Sequence, residues 1–278
     1  VLENLRFNKG EKSNDEAFSL QLSRLGDVFV NDAFGAMHRA HASIVGVVPH
    51  FEHKAAGPLV MRELEALEKV VDSPDRPVVA VLGGAKVSDK MQVIEALAGR
   101  VDALLIGGAM AYTFLAAQGI PVGTSLIEED RLVLAERLIA RCKQRRVSLY
   151  LPIDHIVSDS PKGEPLVVTE IEEGQMGLDI GPATVAAFAE VLGRAATIFW
   201  NGPMGMFEVE AFSGGTRGVA EAVAAAEAYT VVGGGDSAAA INRFDLGARI
   251  DHVSTGGGAS LELVEGRVLP GVAALQGA

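Results

Sequence analysis

A short apolar run that ends in a pair or triple of glycines and then gives way to helical spacing recurs along this chain. It is the feature that most constrains the fold. Val78–Leu82 precedes Gly83 and Gly84, Ala103–Ile106 precedes Gly107 and Gly108, and Thr230–Val232 precedes Gly233, Gly234 and Gly235. Strands without polar alternation, interleaved with helices, imply a parallel sheet covered on both faces. Such sheets bind ligands beyond the carboxyl ends of their strands, which is where each of these glycine loops falls.

The run Tyr229 to Ala240 shows the pattern most fully, as buried strand, glycine loop and opening helix turn. Unpaired amides at such a helix start suit phosphate oxygens. Gly233, Gly235 and Ala238 also fit the dinucleotide pattern G-x-G-x-x-G/A. Asp236 complicates that reading, because a carboxylate inside the loop repels a bare pyrophosphate. Two roles are open to it: a ligand for Mg²⁺ shared with nucleotide phosphates, or a plain helix cap. The expected architecture is α/β, a Rossmann-like three-layer parallel sheet.

Composition narrows the function. The 278 residues are 49% hydrophobic, enough for one large domain or two ordinary ones. A net charge of −12 disfavours nucleic acid as a partner, and no apolar run is long enough to span a membrane. The single cysteine, Cys142, excludes an internal disulfide and reads as a buried apolar side chain. A cytoplasmic enzyme fits these features. The chain opens at Val1 without a methionine, inside what reads as a structured segment.

Taken in order, residues 1–7 read as a short strand ending in a loop that holds Arg6. Residues 14–26 have helical spacing with Gly26 as the stop, and Val28–Val30 reads as a strand. That strand empties into His38, Arg39 and His41, either an anion-binding loop or a solvated one. Residues 56–71 read as a helix with Pro58 in its first turn, broken by the Ser73–Pro77 segment. Further helices are expected to about Ala98, to about Gln118 and over 128–144, with a strand at Ser148–Leu151 and another at Thr197–Trp200.

Two lysines stand at the candidate edge. Lys90 is expected in the first turn of its helix, where the dipole disfavours a cation unless an anion intervenes. Lys86 would add a second charge to that anion; the alternative is two exposed lysines. Glu208, ending the turn that begins at Asn201, is placed either to accept from ribose hydroxyls or simply to start a helix. Pro203, Met206 and the neighbouring glycines read as a slot for a purine. Neither a G-x-x-x-x-G-K-S/T loop nor the D-F-G of protein kinases is present.

Several runs together resemble phosphoglycerate kinase: residues 2–7, Val30 to His41, Gly83 to Lys90, Gly177 to Pro182, Trp200 to Glu208, Gly233 to Ser237 and Ser254 to Ser260. They come in that family's order and cover nearly the whole chain. The resemblance implies reversible phosphoryl transfer between 1,3-bisphosphoglycerate and ADP, giving 3-phosphoglycerate and ATP in glycolysis, with Mg²⁺ as cofactor and hinge closure. It places Arg6, Arg39 and His38 on the phosphoglycerate and Lys86 on the transferring phosphoryl group. Lys90 would hold nucleotide phosphates, with Gly83, Gly107 and Pro203 at the nucleotide loops. Gly177 and Leu178 would border the adenine, Glu208 would take the ribose, and Asp236 would meet Mg²⁺ with Gly234, Gly235 and Ser237 around the phosphates. The complete protein is expected to be a monomer.

Gln175 departs from the tryptophan usual in that family. The family's N-terminal domain is also expected to begin roughly a hundred residues before Val1. The expected organisation is therefore an incomplete second α/β domain at 1–56, an interdomain helix at 57–73, a nucleotide-binding domain at 74–265 and a returning tail at 266–278. Two rivals remain: a fragment that only binds Mg-nucleotide, and an NAD-dependent oxidoreductase resting on Gly233, Gly235 and Ala238.

Overall fold

The computed structural model describes residues 1–277; Ala278, the end of the expected tail, lies outside the described residues. By packing, the chain divides into two units, residues 1–68 together with the segment from Thr255 onward, and Lys69–Ser254.

The first unit begins differently from expectation. Residues 1–7 contain no strand; Leu5–Phe7 is a 3₁₀ turn, because the Asn4 carboxamide accepts from Arg6 N at 3.0 Å and closes the backbone locally. A short helix that was not expected, α1 (Lys9–Ser13), precedes the helix expected at 14–26, which spans only α2 (Glu16–Ser23). Asn14, left-handed at φ 55°, ends the first, and Asp15, accepting from Phe18 N at 2.8 Å, starts the second. Strands β1 (Val28–Asn31) and β2 (His53–Ala56) pair in parallel. Helix α3 (Pro58–Val71) starts at its proline as expected, and Asp32 accepts from Leu59 N and Val60 N at 2.6 and 3.0 Å.

The second unit runs β3 (Val78–Leu82), α4 (Met91–Leu97), β4 (Ala103–Ile106), α5 (Met110–Ala117), α6 (Leu132–Arg145) and β5 (Ser148–Tyr150). It continues with β6 (His155–Ser158), β7 (Leu166–Val168), β8 (Met176–Ile180), α7 (Pro182–Leu192) and β9 (Thr197–Asn201). Helix α8 (Gly214–Ala225), β10 (Tyr229–Gly233), α9 (Gly235–Arg243) and β11 (His252–Val253) complete it. The helix expected at 128–144 begins only at Leu132, after a 3₁₀ turn over Glu129–Arg131.

Six of these strands form one parallel sheet in the order β11-β10-β9-β3-β4-β5. Every residue of β3, β4 and β9 is buried, which is why these runs carry no polar alternation. Phe188 on α7, Val219 on α8 and Trp200 on β9 pack together against the sheet. A separate antiparallel sheet, β7-β6-β8, was not expected from the sequence. Asp154, just before β6, anchors the start of α7, accepting from Ala183 N and Thr184 N at 2.8 and 2.7 Å.

The chain then returns to the first unit with α10 (Gly258–Val264) and α11 (Pro270–Gln276). Ala274 and Leu275 of α11 join Val47, Val48, Phe51 and Phe29 in that unit's small core.

Candidate active site

Reading outward from β3, the strands go β4 and β5 on one side and β9, β10 and β11 on the other. The order therefore reverses between β3 and β9, and a crevice opens outside the carboxyl ends of such a pair. The loops leaving those ends are bonded to one another. Gly83 N donates to Asn201 O at 2.9 Å, Gly84 N to Pro203 O at 3.0 Å and Gly108 N to Met204 O at 2.8 Å. A Cβ at Gly83 would overlap the Pro203 carbonyl, so only glycine lets the loops approach this closely.

A cavity of about 370 Å³ lies on this edge, within the range of small-molecule sites. Gly177, Leu178, Pro203 and Met206 supply its apolar walls together with Leu126 and Met176, while Gly84, Ala85, Gly108 and Ala109 bring the glycine loops to it. Glu208 and Asp236 are its acidic members. The slot and both carboxylates singled out in the sequence are thus brought together. Leu126 and Met176 were missed; neither sits in a glycine-rich motif.

Lys86 is exposed on the loop after β3. Lys90 is half-buried and stands at the cap position of α4 rather than in its first turn. Its ammonium donates to the Asn201 carboxamide oxygen. Burial pulls the Lys90 pKa down, against the opposing charges of Asp89 and Asp236. Asn201 is wholly buried, and its amide donates to Gly233 O at 2.7 Å. It therefore joins the lysine helix to the triple-glycine loop, a role that its place in the Asn-Gly-Pro turn did not reveal.

In the triple-glycine loop Gly234 has φ 95°, a conformation that glycine adopts without strain, and Gly235 opens α9. Ser237 is fully buried and accepts from Gly202 N at 2.6 Å, so its oxygen holds the loop after β9. Asp236 is exposed in the first turn of α9, with no hydrogen bond or ion pair among the described residues. No group of three or more His, Cys, Asp or Glu stands ready to hold a metal among the described residues. A free carboxylate beside such a cavity suits Mg²⁺, which takes one or two carboxylates and completes its shell with phosphate and water.

In the first unit, Arg6 and Arg39 are exposed, and neither pairs with a carboxylate among the described residues. Both act on His41, which lies 3.7 Å from Glu11. Burial lowers the His41 pKa, the Glu11 charge opposes that, and the charges of Arg6, Arg39 and Lys12 lower it further. His38 is half-buried, its Nδ1 lacks a hydrogen-bond partner, and burial followed by the Arg39 charge lowers its pKa. Cations gathered around neutral imidazoles form a basic patch suited to an anionic ligand.

Residues 1–267 match the family model described as phosphoglycerate kinase. The phosphoglycerate kinase of Anaeromyxobacter dehalogenans (strain 2CP-C) is 56% identical over 99% of this chain and 71% of its own length. That of Clostridium perfringens (strain SM101 / Type A) is 53% identical, over 99% of this chain and 70% of its own. The solved phosphoglycerate kinase of Coxiella burnetii superposes with a TM-score of 0.93 at 44% identity, covering 99% of this chain and 72% of that one. The dehydrogenase reading of Gly233, Gly235 and Ala238 gives way to these matches, and the chain belongs to the phosphoglycerate kinase family.

Proposed function

We propose that this chain binds Mg-nucleotide in the cavity at the β3–β9 switch point and phosphoglycerate at the basic patch of its first unit. The observation that carries the reading is the single cleft lined by Gly177, Leu178, Pro203, Glu208 and Asp236, with the Lys86 loop beside it. Leu178 and Pro203 sandwich the adenine beside Gly177, and Glu208 accepts from the ribose. Gly83 and Gly107 hold the loops, Gly234 and Gly235 present amides to the phosphates, and Ser237 fixes the loop after β9. Lys90 holds nucleotide phosphates. Mg²⁺, held by Asp236, would offset charge on the phosphate oxygens.

Arg6, Arg39 and His38 orient the acid. The carboxylate oxygen of 3-phosphoglycerate bonds to the γ-phosphorus as the bond to the β,γ-bridging oxygen breaks and ADP leaves; the reverse step regenerates ATP. Lys86 meets the charge that builds on the transferring group, and positioning with charge stabilisation is most of what this chemistry asks of a protein. The reading includes closure of a phosphoglycerate-binding domain (1–56, with the returning segment from Thr255) and a nucleotide domain (74–254) about the helix segment 57–73. Closure keeps water from the γ-phosphate. A monomeric, cytoplasmic glycolytic enzyme follows from the same reading.

A coupled assay of ATP-dependent phosphorylation of 3-phosphoglycerate tests it. Lys86→Ala should lower kcat by about 10²–10³-fold, the usual cost of one transition-state donor. Activity that survives the substitution intact removes Lys86 from the step. No activity in the parent chain, with ADP binding intact, leaves a nucleotide-binding module.

A further inference from the structure

The loop that carries Lys86 is held on one side by the Gly84 N to Pro203 O bond. Its other hold comes from far along the chain. Ser88 N donates to Glu128 Oε2 at 2.9 Å and Ser88 Oγ donates to Glu128 Oε1 at 2.6 Å, so a single carboxylate grips the residue from both its backbone and its side chain. Glu128 is itself mounted: its N–H donates to Thr113 Oγ1 on α5 at 3.1 Å, and Thr113 is buried. Three residues earlier, Ser125 Oγ accepts from Gly177 N at 2.9 Å, and Leu126 between them lines the cavity. Residues 125–128 thus form a strap from the β8 wall of the slot to the lysine loop.

We propose that Glu128 is a positioning residue for phosphoryl transfer, fixing the Lys86 loop through Ser88 against the nucleotide slot. The inference rests on the nucleotide reading above and deepens it. Lys86 is exposed and has no hydrogen bond or ion pair of its own among the described residues, so its placement depends on the backbone that bears it. Hydrogen bonds to an ionised carboxylate are about twice as strong as neutral ones, and two on one residue also set its orientation. A lysine already in place loses little freedom when phosphate arrives, and that saving becomes affinity and rate. The ionisation state agrees. Partial burial pushes the Glu128 carboxyl up, but the hydrogen bonds from Ser88 and Val87 with the Arg131 charge outweigh it, and the pKa falls below the ordinary value of 4.5. The carboxylate form that grips Ser88 is therefore the one present at neutral pH.

The test is calorimetric titration of the full chain with ATP and with adenosine, Mg²⁺ present and phosphoglycerate absent, because ATP carries the γ-phosphate that Lys86 meets and adenosine carries none. Glu128→Ala and Ser88→Ala should weaken ATP by about tenfold while adenosine stays within about twofold. Glu128→Gln, which keeps one acceptor oxygen, should recover part of the loss. The double variant Ser88→Ala/Glu128→Ala should be no weaker than the worse single one. A lower melting temperature with an unchanged ATP-to-adenosine ratio in both single variants would overturn the proposal, since that is what a merely structural tie does. Equal affinity of the parent chain for ATP and adenosine would overturn the nucleotide reading itself, and the positioning role with it.

Discussion

Among the described residues there are two parallel sheets, and they are built to different standards. In the six-stranded sheet β3, β4 and β9 are buried along their whole length, and the loops leaving them are tied to each other by backbone hydrogen bonds. In the two-stranded sheet of the first unit, Val28 and Val30 of β1 stand 58% and 56% exposed. The residues proposed for ligands follow the same division. Lys90 and Ser237 are engaged with Asn201 and Gly202, whereas Arg6 and Arg39 project from turns without an ionic partner among the described residues. A sheet buried on both faces fixes its loops to within hydrogen-bond tolerance, which a phosphate site needs. A sheet with one apolar face in solvent offers a weaker frame.

Substitutions can sharpen or break that contrast. The largest effect is expected at Trp200, fully buried on β9 with its indole N–H donating to Gly202 O at 2.7 Å. Trp200→Ala should cost about 3–5 kcal/mol in chemical denaturation. Gly83→Ala should cost about 1–3 kcal/mol, because its Cβ must push the Pro203 carbonyl aside, and the same shift should weaken ADP.

Asp179 gives a pH effect. Burial pushes its carboxyl from 3.8 up to about 7, although the amides of Gly215 and Ile180, at 2.6 and 2.9 Å, pull the other way. The folded chain holds this proton more tightly than the unfolded one. Its contribution to stability is therefore full below 3.8 and gone once the pH rises past about 7. Relative to Asp179→Asn, the parent chain should lose up to about 1.4 kcal/mol per pH unit across that window. Parallel stability curves for the two proteins would remove the assignment. The smallest effect belongs to the two-stranded sheet, where Val30→Thr should change stability by about 0.5 kcal/mol or less. A cost there comparable to that at Trp200 would mean that the exposed face of β1 is buried against something in solution, and the contrast would fail.

The sequence showed the six-stranded sheet well because its signal is local. An unbroken apolar run ending in glycines, as at Val78–Gly84, has few other structural solutions. Pro58 marked the start of α3 for an equally local reason. The slot was legible at Gly177, Pro203 and Glu208, which lie in recognisable runs. The antiparallel sheet was not, since β7 spans only Leu166–Val168 and shows no clean alternation of buried and exposed residues. Residues 1–7 misled because Asn4 spends its side chain on a local turn, which an apolar pattern cannot display. The ties of Lys90 to Asn201 and of Ser88 to Glu128 span 111 and 40 residues, and no local pattern encodes such pairings.

The central claim is that the switch-point cleft is a Mg-nucleotide site organised around Asp236. It is tested most directly by titrating ADP into the parent chain and into Asp236→Ala, each with Mg²⁺ and with chelator. The parent chain should bind ADP more tightly with Mg²⁺, and Asp236→Ala should lose most of that advantage while still binding adenosine. An Asp236→Ala protein that keeps the whole Mg²⁺ advantage would contradict the account.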